Sequence, residues 1–314
     1  MKLSQAAKTV SADFKGRDEE FELVSTDTRT LQPGTLFVAL RGPRFDGNNF
    51  VEEARKRGAV GALVTRIVEI ELPLILVDDT LTALAQLANY QRKRMQLSII
   101  AVTGSCGKTT TQALLASIFR QCGNVLASER SFNNSIGVPL TLLRLRPEHN
   151  YAVVELGANR PGEISNLTQL VKPAIAIITN AAPAHLEGFS SIEGVAKAKG
   201  EIFQGLSENG VAVINVDDCF ANFWRGLVGK RRIITFGVNH HPADITAKNI
   251  KMNSSAQPAF QLMAPKEEID IQLPLIGAHN VANALAAAAA AYAEGLPLTA
   301  IKDGLEAASA VKGR

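Results

Sequence analysis

The sequence predicts an α/β protein: a small N-terminal α/β domain, then a P-loop-type central domain with a mostly parallel sheet covered by helices. Three observations point there. Short apolar runs alternate with helical periodicities along most of the 314 residues. A glycine loop at 103–110 joins an apolar run to a helical one. From Leu97 onward the apolar runs become near-continuous, the pattern of parallel strands buried on both faces.

In the first part, Phe37–Leu40 and Gly61–Val64 read as short buried strands, with a helix from Phe50 to Arg57 between them that Gly58 closes. Ile75–Val77 is a further strand. A helix follows from Thr80 to about Met95, with Leu81, Leu84, Leu87 and Ala88 on one face. The polar stretch Gln91–Gln96 marks a boundary, which divides the chain into domains 1–96 and 97–314. The second part supplies strands at Ile99–Val102, Val125–Ala127, Tyr151–Leu156, Ala174–Thr179, Val211–Asn215 and Ile233–Phe236. Between His240 and Leu273 alternating apolar residues (Phe260, Leu262, Ile269, Ile271) suggest a small antiparallel excursion before the last helices.

Composition narrows the function classes. Hydrophobic residues make up 46% and charged residues 20%, a profile that supports a real core. The formal net charge of +3 is too small to argue for nucleic acid, and the tight basic clusters Arg92–Arg94 and Lys230–Arg232 read as solvated turns. Three cysteines, Cys106, Cys122 and Cys219, have no metal-ligand spacing and fit a reducing compartment. No apolar run is long enough to span a membrane, and the N-terminus lacks a signal-like stretch, so the expectation is a cytoplasmic protein.

Residues 103–110 read Thr-Gly-Ser-Cys-Gly-Lys-Thr-Thr. Only Ser105 and Cys106 separate Gly104 from Gly107, so this is a shortened relative of the G-x-x-x-x-G-K-[ST] phosphate loop. The physics survives the shortening. Glycines let backbone N–H groups turn toward an anion, and the helix carrying Thr110, Leu114, Leu115, Ile118 and Phe119 presents its positive end to the same place. Lys108 is then placed for the β/γ-phosphates and Thr109 for Mg²⁺, which predicts ATP binding. Glu155 ends a strand, where an NTPase keeps a second Mg²⁺ ligand. His185 follows another strand end, and Asn133 with Asn134 follows a third. Each candidate lies past a strand's carboxyl end, where ligands gather in such sheets. Lys197 and Lys199 share one helix but point in different directions, so at most one can enter a site, and spacing does not say which.

The motifs at 103–110, 133–139 (Asn-Asn-Ser-Ile-Gly-Val-Pro), 155–159 (Glu-Leu-Gly-Ala-Asn) and 184–189 (Ala-His-Leu-Glu-Gly-Phe) occur in order. Ala-Lys-Ala-Lys-Gly-Glu-Ile-Phe (196–203) and Gly-Ala-His-Asn-Val-Ala-Asn-Ala-Leu-Ala-Ala (277–287) follow them. Together they resemble the Mur ligase family of ATP-dependent amide-bond-forming enzymes. The N-terminal stretches 25–30, 33–42 and 45–47 are similar to that family's UDP-sugar-binding domain.

The resemblance implies a role for each matching position. Ser25, Thr26, Asp27, Arg29, Gly42 and Asp46, with Asn133 and Asn134, would contact substrate. Gly104, Ser105, Cys106, Gly107, Lys108, Thr109 and Thr110 would hold ATP, together with Asn280, Asn283 and Arg314. Thr109, Glu155, His185 and Lys199 would serve two Mg²⁺ ions, Lys199 as a carbamylated lysine. The implied substrates are UDP-N-acetylmuramoyl-tripeptide and D-alanyl-D-alanine, joined through an acyl phosphate in peptidoglycan precursor synthesis by a protein expected to be monomeric. The family pattern continues past Arg314 into a third domain, so weak turnover by this chain alone is expected. Ser135 departs from the acidic residue that the resemblance leads one to expect. The same residues also fit a non-catalytic nucleotide- and UDP-sugar-binding module, or another amino-acid ligase of the family.

Overall fold

The computed structural model describes residues 1–43, 45–129, 132–183, 186–239 and 242–309. They form two compact units: Met1–Met95 with Ser135–Leu145, and Gln96–Asn134 with the residues from Arg146 onward.

The first unit begins with α1 (Leu3–Thr9), β1 (Asp13–Lys15), β2 (Leu23–Ser25) and β3 (Thr35–Val38). A two-stranded hairpin, β4 (Arg41–Gly42) and β5 (Phe45–Asp46), leads to α2 (Val51–Lys56), β6 (Gly61–Val64), β7 (Leu74–Leu76) and α3 (Thr80–Lys93). Its sheet has the order β1-β7-β6-β3-β2, parallel except for β1. Phe37, Ala39, Ala62, Val64 and Leu74 pack with Val51 and Ala54 of α2 to make its core. Asp79 caps α3, accepting the Thr82 N–H at 2.5 Å. Ala83, Leu84, Leu87 and Ala88 are the buried face of α3; Leu81, expected there, sits in the first turn and is 36% exposed.

The chain then makes β8 (Ser98–Thr103), α4 (Lys108–Phe119) and β9 (Val125–Ala127) of the second unit before returning α5 (Gly137–Leu143) to the first. There α5 packs against α3 and β2, and Gln91 donates to the Leu145 carbonyl at 2.7 Å.

The second unit continues with β10 (Tyr151–Glu155), α6 (Glu163–Val171), β11 (Ile175–Ile178), α7 (Leu186–Phe189), α8 (Ile192–Gly200), β12 (Val211–Asn215), α9 (Ala221–Val228) and β13 (Arg232–Gly237). β14 (Ile245–Met252), β15 (Pro258–Met263), β16 (Glu268–Gln272), α10 (His279–Glu294) and α11 (Leu298–Glu306) complete it. The nine-stranded sheet has the order β16-β15-β14-β13-β12-β11-β8-β10-β9. All pairs are parallel from β14 to β9; the pairs β14–β15 and β15–β16 are antiparallel, so β15 alone runs against the rest and the expected excursion extends this same sheet.

Alternation along β8 sends Ile100 and Val102 into a core with Leu114, Leu115, Ile118 and Phe119 of α4 and the fully buried run Ala284–Ala291 of α10. Alanines there let α10 lie close to α4 and to β11–β14. At Gly304, α11 meets α4 so closely that a Cβ would collide with the Ile118 backbone. The basic clusters do more than face water. Arg231 donates to the Val228 carbonyl (3.2 Å) and Arg232 to that of Ala293 (3.4 Å), satisfying helix C-termini. Arg92 is half-buried, which pulls its pKa down. All three cysteines are free and exposed, and among the described residues no helix is long and apolar enough to cross a membrane.

Candidate active site

The sheet order reverses at β8, with β10 on one side and β11 on the other, so the loops leaving these three strands share one edge. Thr103 ends β8 buried, its hydroxyl on the Leu156 carbonyl at 2.8 Å. Gly104 follows at φ +153° and Gly107 at φ +81°. At each a side chain is doubly excluded: the backbone favours glycine, and a Cβ would strike Thr179 Oγ1 at Gly104 or Asn283 Oδ1 at Gly107. The turn at Gly107 starts α4, so Lys108, Thr109 and Thr110 occupy its first turn. Lys108 Nζ reaches back across the loop to the carbonyls of Gly104 (2.7 Å) and Ser105 (3.3 Å).

Glu155 is 6% exposed and reaches the loop from β10. Its Oε2 accepts the Thr109 hydroxyl at 2.8 Å and its Oε1 accepts the Asn133 amide at 2.9 Å. Asn133 is therefore bound into the acid's surroundings, while Asn134 beside it is exposed. Among the described residues, no three His, Cys, Asp or Glu side chains converge as a metal cage.

The structure separates the two lysines. Lys197 is exposed, whereas Lys199 is 3% exposed, its Nζ lying 5.8 Å from the centroid of the Phe189 ring. No described residue gives that Nζ a hydrogen bond or ion pair. Burial, then the positive charge of Lys108, lowers its pKa from 10.5 to about 8 against the pull of Glu201, Glu155 and Glu163. Ser191 sets the helix that carries it, accepting the Gly194 N–H at 3.1 Å as an N-cap.

Asn280 and Asn283 lie in the first turns of α10, each 7% exposed. Asn283 donates to Asn280 Oδ1 at 2.9 Å, Asn280 donates to the Ile276 carbonyl at 2.8 Å, and Thr111 of α4 reaches Asn283 at 3.5 Å. They stand beside Gly107, braced mainly by one another. His185 and Arg314 lie outside the described residues.

A second group gathers in the first unit at the carboxyl ends of β2, β3 and β6. Ser25 and Asp27 form a tight turn: Ser25 Oγ accepts the Asp27 N–H at 3.1 Å, and Asp27 accepts the Arg29 N–H and its guanidinium at 2.9 Å. The Arg29 side-chain hydrogen bonds hold the Asp27 carboxyl below its ordinary range. Thr26 is half-buried within that turn. Asp46 caps the turn Gly47–Phe50, accepting the Asn48 N–H at 2.9 Å and its side-chain amide at 2.6 Å. Gly42 pairs with Phe45 across the β4–β5 hairpin.

Sequence reasoning missed the groups that shape the phosphate loop from β11. Asn180 Oδ1 accepts the Cys106 N–H (2.9 Å), its Nδ2 donates to the Cys106 carbonyl (3.2 Å), and its own carbonyl accepts the Ser105 N–H (3.0 Å). Thr179 Oγ1 donates to the Cys106 carbonyl at 2.6 Å. The available signal was position: Asn180 leaves an apolar strand as Glu155 does, on the other side of β8.

Comparison with known proteins bears on the whole length. The Mur ligase middle domain matches residues 102–291, and the Mur ligase family catalytic domain matches residues 20–92. The chain is 47% identical over 312 residues to the UDP-N-acetylmuramoyl-tripeptide–D-alanyl-D-alanine ligase of Escherichia coli, covering 99% of this chain and 69% of that protein. It is similar to the crystal structure of MurF from Acinetobacter baumannii, with TM-score 0.93 and 38% identity over 99% of this chain and 69% of that one. MurF ligase from Thermotoga maritima, solved in complex with ADP, matches at TM-score 0.80 and 27% identity, over 93% of this chain and 67% of that one. Both stretches of the chain match one family, and near-half identity runs across their junction; this chain belongs to the Mur ligase family.

Proposed function

We propose that the chain catalyses ATP-dependent addition of D-alanyl-D-alanine to UDP-N-acetylmuramoyl-tripeptide, a step in building peptidoglycan precursors in the cytoplasm. The observation that carries this reading is the 47% identity, over 99% of the chain, to a relative with that activity in its name. The phosphate loop and its acid supply the matching chemistry.

A carboxylate is a poor electrophile. In this reading its oxygen attacks the γ-phosphorus of ATP, ADP leaves, and an acyl phosphate remains. The amine of the dipeptide then attacks the acyl carbon, loses a proton, and expels phosphate. Both steps gather negative charge on oxygens, which cations and fixed N–H dipoles stabilise. Lys108 and the first-turn amides of α4 are this chain's groups for that work. Asn280 and Asn283 stand beside the loop for the nucleotide, and Arg314 is assigned to the γ-phosphate. Ser25, Thr26, Asp27, Arg29, Gly42 and Asp46 are assigned to the UDP-sugar, with Asn133 and Asn134 as further substrate contacts.

The residues fit Mg²⁺ at one position. Thr109 Oγ1 and Glu155 Oε2 lie 2.8 Å apart. That is close to the edge of an oxygen octahedron with bonds of roughly 2.0–2.1 Å. When bound, Mg²⁺ offsets phosphate charge. Thr109 and Glu155 would hold it, and Asn133 keeps the carboxylate turned toward the hydroxyl. Lys199 is the proposed carbamylation site: its Nζ adds to CO₂ with loss of a proton, turning a buried cation into an acid that joins His185 at a second Mg²⁺. A pKa lowered to about 8 raises the share of neutral, nucleophilic amine near neutral pH.

The test incubates the chain with UDP-N-acetylmuramoyl-tripeptide, D-alanyl-D-alanine and Mg-ATP, and follows the product by mass spectrometry. The expected result is one amide product per ADP released, reduced by about a hundredfold or more in Lys108→Ala. ADP release that does not depend on the dipeptide and gives no amide product would overturn the reading.

A further inference from the structure

We propose that Asn180 is a positioning residue for the phosphate loop. Its side chain and carbonyl occupy the amides of Ser105 and Cys106, so that the phosphates fall to the amides of the next turn. The assignment rests on the ATP reading above and deepens it.

Asn180 alone takes the two N–H groups at the tip of the loop, Ser105 through its backbone carbonyl at 3.0 Å and Cys106 through Oδ1 at 2.9 Å. Its Nδ2 and Thr179 Oγ1 both donate to the Cys106 carbonyl, at 3.2 and 2.6 Å. That fixes the peptide's orientation at both ends. The Ser105 hydroxyl completes the seam, donating to the Ala182 carbonyl at 3.0 Å and accepting the Ala182 N–H at 2.9 Å. The first half of the loop is thus hydrogen-bonded to protein. In the second half, the N–H groups of Gly107, Thr109 and Thr110 meet no acceptor among the described residues. A longer phosphate loop can wrap an anion with its own tip. This shortened one has its tip stitched to β11 and offers the start of α4 instead.

The stitching segment is itself held from the next strand. Asn215 Nδ2 donates to the Thr179 carbonyl at 2.9 Å. Asp218 accepts the N–H of Ala181 at 2.7 Å and of Phe220 at 2.9 Å. The order β12-β11-β8 therefore transmits position strand by strand: Asp218 holds the exit of β11, and Asn180 holds the loop.

The experiment titrates Mg-ADP into the 314-residue chain by calorimetry, for wild type, Asn180→Ala and Asn180→Asp. Losing two side-chain hydrogen bonds should weaken ADP binding in Asn180→Ala by about tenfold or more, with the melting temperature of the free protein within a few degrees of wild type. Asn180→Asp adds a readout that a merely structural role would not move. As a carboxylate at about pH 8 it repels the Cys106 carbonyl; the protonated fraction, which grows as pH falls toward roughly 4, can donate to that carbonyl and accept the N–H, as the amide does. Its shortfall against wild type should shrink as pH falls, while that of Asn180→Ala stays constant. Wild-type affinity in Asn180→Ala, or a pH-independent shortfall in Asn180→Asp, would overturn the assignment. If Asn180→Ala does not fold, the pH series on Asn180→Asp decides alone. Failure of the wild-type chain itself to bind ADP would instead remove the ATP reading, and this assignment with it.

Discussion

Burying the Lys199 ammonium against the Phe189 ring costs solvation that Glu201, Glu155 and Glu163 only partly return. The direction of the linkage follows. Below about pH 8 the group is protonated in both folded and unfolded chains, and the folded state bears the cost. Between about 8 and 10.5 the unfolded chain holds a proton that the folded chain has released, so stability rises with pH. The gain is roughly 3 kcal/mol across the window. Lys199→Met should remove that slope and raise stability near neutral pH in CO₂-free buffer, read as urea midpoints at several pH values. A variant with the wild-type slope would show that another group titrates there. The proposed carbamylation turns the same strain to use, since a lysine that prefers to be neutral is the one that reacts with CO₂. Residue spacing could not choose between Lys197 and Lys199; burial does, and burial depends on how α8 packs on its neighbours.

At the scale of elements, helix preference and packing oppose each other at Gly304. Replacing a helical glycine by alanine favours the helix by about 1 kcal/mol. Here a Cβ would meet the Ile118 backbone, which cannot rotate aside as a side chain could. Overpacking of that kind costs roughly 1–3 kcal/mol, so Gly304→Ala should be destabilised on balance. A lowered denaturant midpoint checks it, and a raised one would mean that α11 can shift off α4. The long parallel strands were legible because a strand covered on both faces is apolar throughout: β9 and β12 match their expected limits, and β8, β10 and β11 differ by a residue or so at an end. β1, β2 and α5 were not legible. β1 and β2 are three residues each with mixed exposure, and α5, which begins Gly-Val-Pro, gives few turns of periodicity. The site divides in the same way. The phosphate loop is local and can be read along the chain, whereas the reach of Asn133 to Glu155 and of Asn180 to Cys106 exists only once β10, β8 and β11 are neighbours.

For the whole molecule, the division into two units does not follow the chain. Ser135–Leu145 belongs with Met1–Met95, and α5 supplies packing for α3 and β2. A fragment of residues 1–95 should therefore melt broadly and at low temperature. The same fragment carrying 135–145 on a flexible linker should melt cooperatively, by circular dichroism. Equal melting of the two would show that α5 adds nothing to the first unit.

This returning segment also orders events during synthesis. The first unit has all its parts only when Leu145 has left the ribosome, by which time β8, α4 and β9 have emerged as well. Yet β8 pairs with β10 and β11 and β9 with β10, and none of those partners can pair until Tyr151 and beyond have also emerged. The nascent chain thus completes its first unit with the phosphate loop held in an unpaired excursion. The nucleotide site is created later, when β10 and β11 arrive on either side of β8 and bring Glu155 and Asn180 with them.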